Sequence, residues 1–113
     1  MKVVYKILTN QEWEEVSARG VFSGSAVDVR DGFIHFSTGE QAMETVSRHF
    51  SDAGALILAA VNAGALGAAL RWEPSRGGAM FPHLYGTLKL ADILWAKAFD
   101  TRRPDALRKL LAG

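Results

Sequence analysis

Gly32-Phe33-Ile34-His35-Phe36-Ser37-Thr38 carries the fold in miniature. Phe33 to Ser37 reads as a strand, with Phe33, His35 and Ser37 on one face and Ile34 and Phe36 on the other. Ser37 or Thr38 then caps a helix, with Glu40 or Gln41 three residues on as the capping-box partner. That helix is expected to run to about Phe50, with Ala42, Val46 and Phe50 along one side. A strand that feeds a helix in this way sets His35 and two hydroxyls beside a helix N-terminus. The positive end of the helix dipole favours an anionic or phosphate-bearing ligand there.

Upstream, Val3 to Leu8 is β-branched and aromatic enough for a first strand. Thr9-Asn10-Gln11-Glu12 is a capping box opening a short helix that contains Trp13 and Val16 and stops at Gly20. Ser23 to Asp31, with its serines and aspartates, reads as an exposed loop. Downstream, Ala55 to Val61 is a continuous apolar run, as a central strand buried on both faces requires. Ala63 to Gly67 is a turn or a single helical turn, and Ala69 to Glu73 another strand. Pro74 to Pro82 holds two prolines and Gly77-Gly78 and reads as a loop. His83 to Gly86 and Ile93 to Phe99 are further strand candidates, and Pro104 opens a closing helix to Leu111. Strands and helices alternate without a regular βαβ rhythm, so the fold class is α+β. The expected architecture is one domain over residues 1–113 with a mixed, curved sheet and two or three helices.

Composition removes several function classes. Thirteen basic residues stand against 12 acidic ones, a net charge of +1, which gives no field for duplex nucleic acid. There is no cysteine, so disulfides, thiolate metal sites and a cysteine nucleophile are excluded. Met1 to Lys6 lacks the apolar run of a signal peptide, and Ala53 to Leu70 is too broken by glycines to span a bilayer. A cytoplasmic location and no membrane partner are the expectation.

The remaining reactive side chains fall in two further segments, Arg71-Trp72-Glu73-Pro74 and Phe81-Pro82-His83-Leu84-Tyr85-Gly86. Glu73 lies between Trp72 and Pro74. An indole beside a carboxylate raises its pKa by desolvation, which suits acid–base work; an ion pair with Arg71 or Arg76 is the alternative. Arg76, next to Gly77-Gly78, is either a phosphate clamp or a plain loop arginine. His83 and Tyr85, two residues apart on a strand, share a face and line a pocket or pair at a sheet edge. His35 is either a buried histidine bonded to backbone or a ligand contact at a strand end. His49, late in its helix, reads as an exposed imidazolium suited to the dipole. His35, His83 and Glu73 lack the tight spacing of a metal site, and no metal is assigned.

Taken together, Tyr5-Lys6-Ile7-Leu8 with Trp13, Asp31 to Thr38 with Glu40-Gln41, Arg71-Trp72-Glu73 and Phe81 to Gly86 resemble a small bacterial family known as domain of unknown function 952. More distantly, the strand His-x-Ser-Thr helix segment is similar to one used against NAD in the ADP-ribosyltransferase superfamily, which includes an RNA phosphotransferase branch. That resemblance implies an ADP-ribosyltransferase-like fold and a pocket for NAD or another phosphorylated nucleotide, with ADP-ribosyl transfer or glycohydrolase chemistry. It implies that His35 and Ser37 contact the nicotinamide ribose or phosphates and that Tyr85 stacks on the nicotinamide ring. Glu73 would orient a ribose hydroxyl and stabilise an oxocarbenium-like transition state by its charge, and Arg71 or Arg76 would hold a phosphate. The expected site set is therefore His35, Glu73 and His83 for catalysis, with Ser37, Thr38, Arg71, Trp72, Arg76 and Tyr85 for binding. Two other readings stand beside it. One is a non-enzymatic ligand- or protein-binding module with Trp72, Phe81 and Tyr85 as its surface. The other is a metal-dependent hydrolase.

Overall fold

A computed structural model describes residues 1–113. Strand β1 (Val3–Leu8) leads through the Thr9 capping box into α1 (Asn10–Arg19), which Gly20 ends in the left-handed conformation at φ 78°. Short β2 (Val21–Phe22) precedes α2 (Ala26–Asp31). Next come β3 (Ile34–His35) and α3 (Gly39–His49), the latter capped by Thr38 with Gln41 as the box partner. Strand β4 (Ala55–Asn62), a one-turn α4 (Ala63–Leu66) and β5 (Leu70–Pro74) follow. The chain closes with β6 (Met80–Leu84), β7 (Leu88–Lys89), β8 (Ile93–Asp100) and α5 (Pro104–Ala112).

The strands form three sheets, ordered β1-β4-β8, β2-β7 and β3-β6-β5. Every pairing is antiparallel, which corrects the expected mixed sheet. Five α-helices form where two or three were expected. The segment read as an exposed loop, Ser23 to Asp31, holds α2, opened by a Ser25–Asp28 capping box. Its two exposed valines and one buried aspartate invert the usual amphipathic pattern, so hydrophobic periodicity gives no sign of it. The expected loop from Pro74 to Pro82 is also shorter, because β6 begins at Met80 and takes in Pro82. A proline within a middle strand is uncommon. Pro82 still contributes its carbonyl, which accepts from Phe36 N at 3.0 Å.

As expected, β4 is central and all but sealed: Leu58, Ala59, Ala60 and Val61 are fully buried. One face of its sheet packs with Val4, Leu8, Val16, Ile34 and Leu84, and the other with Val46, Leu107 and Phe99 beneath α3 and α5. The two larger sheets meet at one rung. Ser37 leaves β3 and exchanges hydrogen bonds with Tyr5 of β1, at 2.7 and 2.9 Å. Immediately afterwards Thr38 starts α3. Between these sheets a cleft opens. No helix is long and apolar enough to cross a membrane.

Candidate functional site

The cleft has a volume of about 530 Å³ and is walled by β1, α2, β3, the second half of α3, the turn carrying Arg76, and β6. His35 and His83 are register partners on β3 and β6, with ring centroids 5.5 Å apart at a steep angle. Phe33 covers them. Its ring stacks on His83 at 4.1 Å and lies 4.7 Å from His35.

Each imidazole is oriented through Nδ1 by a carboxylate. Asp28 Oδ1 lies 2.7 Å from His35 Nδ1 and also accepts from the His35 amide at 3.1 Å. The second oxygen of Asp28 faces Lys6 Nζ at 3.0 Å and accepts from Ser25 N at 2.9 Å. Lys6 donates further to the His35 carbonyl at 2.9 Å. Burial alone would push the Asp28 carboxyl up, but the His35 hydrogen bonds and the Lys6 charge hold it well below the ordinary range. Burial likewise pulls Lys6 below the usual lysine value, against the attraction of Asp28. Asp31 Oδ2 meets the other ring nitrogen of His35, Nε2, at 3.0 Å. Both carboxylates only accept, so each contact is a hydrogen bond when the ring nitrogen facing it carries a proton.

His83 is held differently. Its Nδ1 lies 2.9 Å from Glu73 Oε1, the oxygen that also accepts from Tyr85 OH at 2.7 Å. With Nδ1–H donated to Glu73, Nε2 of the neutral tautomer carries the lone pair, and no residue of the chain bonds to Nε2. Glu73 itself does not line the cleft. Its carboxyl is lowered, first by the Tyr85 hydrogen bond and then by His83, which is opposite to the shift expected from Trp72. Strand alternation is the reason. Trp72 turns to the other face of β5, packs on the core and lies under Lys2 Nζ at 4.2 Å. The same hydrogen bond raises the Tyr85 hydroxyl.

At the far end of the cleft Arg76 lies over the Phe81 ring, 4.8 Å from its centroid. Its Nη2 donates to Thr45 Oγ1 at 3.0 Å, and Thr45 shares a 2.8 Å hydrogen bond with Ser37 Oγ. The other terminal nitrogen, Nη1, is buried without any partner. Arg48 and His49 complete this end. His49 is exposed, as expected, but partial desolvation, followed by the charges of Arg76, Arg48 and His35, lowers it, against the upward shift that the helix dipole alone would give.

Of the residues picked from sequence, His35, Ser37, Arg76 and His83 line the cleft. Glu73 and Tyr85 support His83 from behind, and Arg71 stacks on the Tyr85 ring at 4.6 Å. Thr38 is occupied as the α3 cap, and Trp72 is a packing residue. Sequence reasoning missed Lys6, Asp28, Asp31, Thr45 and Arg48 as wall residues. The one available signal was the Ser-x-x-Asp box at Ser25, which marks Asp28 as a residue with a structural task. No group of three His, Asp or Glu side chains is placed to hold a metal ion.

The chain belongs to the family described as Protein of unknown function (DUF952), whose model matches residues 7–96. It is similar to protein CC0527 from Caulobacter crescentus. The crystal structure of that protein is 50% identical over 87% of this chain and 84% of its own, with a TM-score of 0.80. Its solution NMR structure gives a TM-score of 0.79 at 50% identity, over 88% of this chain and 86% of its own. No curated protein matches the chain.

Proposed function

We propose that this DUF952 protein binds a small phosphorylated ligand of the nucleotide class, such as NAD, with its phosphate at the Arg76 end of the cleft and its sugar beside the two imidazoles. The observation that carries the reading is Arg76 Nη1, a buried cationic donor with no partner in the chain. Leaving such a donor unpaired costs free energy that an anionic oxygen would recover. Thr45 and Ser37 add hydroxyls at the same place, and Arg48 and His49 add positive or protonatable groups. Two residues along β6, about 7 Å at strand spacing, His83 offers a free Nε2. A volume of about 530 Å³ falls in the range of small-molecule pockets.

ADP-ribosyl transfer is the reaction that the superfamily resemblance implies. The carboxylate it would use, Glu73, is turned toward His83 and Tyr85, so the geometry supports nucleotide binding more than that transfer. Titration calorimetry with NAD, ADP-ribose and inorganic pyrophosphate tests the reading. Arg76→Ala should weaken binding roughly 10- to 100-fold, as loss of one charge-assisted hydrogen bond would. Arg102→Ala, on the far surface, should leave it unchanged. Absence of heat with all three ligands at millimolar concentration would sink the proposal.

A further inference from the structure

We propose that His83 and His35 form an acid–base pair that cleaves ribonucleotide phosphodiesters by attack of the ribose 2′-hydroxyl on phosphorus. This rests on the nucleotide reading of the cleft and names both the bond broken and the groups that break it.

The two rings differ in how they are held, and the difference assigns their roles. His83 gives Nδ1 to Glu73 and keeps Nε2 free, the state of a proton acceptor. His35 has a carboxylate on each ring nitrogen, Asp28 at 2.7 Å and Asp31 at 3.0 Å, an environment that suits the proton-bearing ring. The rings are neighbours across one antiparallel pair, 5.5 Å apart. At that spacing both can reach the attacking and departing oxygens of a single phosphate. Arg76 Nη1 is the unspent donor at the next row of the same face, where Phe81 precedes His83 by two positions on β6. It would take a non-bridging oxygen and stabilise the charge that builds there. Asp31 is the more exposed of the two aspartates on His35 and is also bonded by Arg30, so it is the contact that the leaving oxygen displaces.

The step balances without a co-reactant. His83 Nε2 takes the 2′-hydroxyl proton, O2′ bonds to phosphorus, and the bond from phosphorus to O5′ breaks. His35 Nε2 gives its proton to the departing O5′. The products are a 2′,3′-cyclic phosphate and a free 5′-hydroxyl. His83 leaves protonated and His35 neutral, and exchange with water restores both. Glu73 is a positioning residue in this scheme, fixing the tautomer of His83, and Tyr85 holds Glu73 in turn.

The test uses uridylyl-3′,5′-adenosine and its 2′-deoxy analogue, with EDTA present. Wild-type protein should convert the first to uridine 2′,3′-cyclic phosphate and adenosine, and should bind the second without cleaving it. The pH profile of cleavage should be bell-shaped, as a base and an acid acting together require. The groups that set its limits are Glu73, Tyr85 and Arg71 around His83, and Asp28, Asp31 and Lys6 around His35. His83→Gln should lower kcat at least 100-fold, within the usual worth of a general base. Glu73→Gln should lower kcat and shift the acid limb of the profile while leaving KM nearly unchanged. Binding of the deoxy analogue with no cleavage of the ribo form by wild-type protein overturns the inference and leaves nucleotide binding standing, as does cleavage undiminished in His83→Gln. Failure to bind either dinucleotide overturns the inference, and absence of heat with NAD, ADP-ribose and pyrophosphate as well overturns the nucleotide reading with it.

Discussion

Asp28 on α2 and His35 on β3 are joined twice, through the ring nitrogen at 2.7 Å and through the backbone amide at 3.1 Å. The same carboxylate neutralises Lys6 of β1, so one nearly sealed aspartate ties a helix to a strand of each large sheet. Polar contacts of this kind are costly to half-remove, because the surviving partner stays buried with its charge uncompensated.

Asp28→Ala is therefore expected to destabilise the protein by about 3–5 kcal/mol, read from urea unfolding. The double variant Lys6→Met/Asp28→Leu should regain most of that loss, since a buried pair replaced by apolar groups of similar size is often neutral. If the double variant is no more stable than the single one, unpaired Lys6 is not the source of the cost.

The same carboxylate makes stability depend on pH in a defined direction. Its folded-state pKa lies below the unfolded value of about 3.9, so the unfolded chain binds the proton more readily. The contribution is full above the unfolded value and drains away as pH falls through it toward the folded one. Urea midpoints should drop more steeply from pH 5 to pH 2 in wild type than in Asp28→Asn. Parallel slopes would show that other carboxylates, such as Asp31 and Asp100, which their arginine neighbours also lower, carry the acid dependence.

Tyr85→Phe removes the hydrogen bond that does most to hold the Glu73 carboxyl low. Its titration, followed by carbon NMR of the side chain, should move up toward the ordinary glutamate value. The fold should be unchanged, because Tyr85 is exposed. An unmoved titration would mean that His83 alone sets the charge state of Glu73.

Thr38→Ala deletes the cap of α3 and should cost about 1 kcal/mol, measured by thermal or urea unfolding. Thr38→Ser keeps the oxygen that accepts from Gln41 N at 3.2 Å and should lose much less. Because α3 carries Thr45, Arg48 and His49 into the cleft, the same substitution should also weaken nucleotide binding modestly.

Much of the framework was legible because it rests on local rules. The β-branched run from Val3, the Thr9 and Thr38 boxes, the apolar Ala55–Val61 stretch and Pro104 each carry their own signal, and the structure places the corresponding elements as expected. What failed was whatever depends on partners distant in sequence. Helix α2 buries Asp28 and exposes Val27 and Val29, and only Lys6 and His35, 22 and 7 residues away, make that sensible. The shift of Glu73 was misjudged for a related reason. Trp72 is its neighbour in the chain but lies across the strand, whereas Tyr85, 12 residues on, supplies the hydrogen bond. His35, His83, Ser37 and Arg76 were legible as reactive types beside turns, and their convergence follows from the β3–β6 register and the fold of the Arg76 turn.

The rung between Tyr5 and Ser37 makes the two large sheets behave as jaws with one stitched corner. The Lys6 hydrogen bond to the His35 carbonyl reinforces that corner, and the stitch lies one residue before the Thr38 cap of α3. A guest that wedges the jaws apart would load the amides of Tyr5 and Ser37. Their hydrogen-exchange rates thus act as a strain gauge for the cleft.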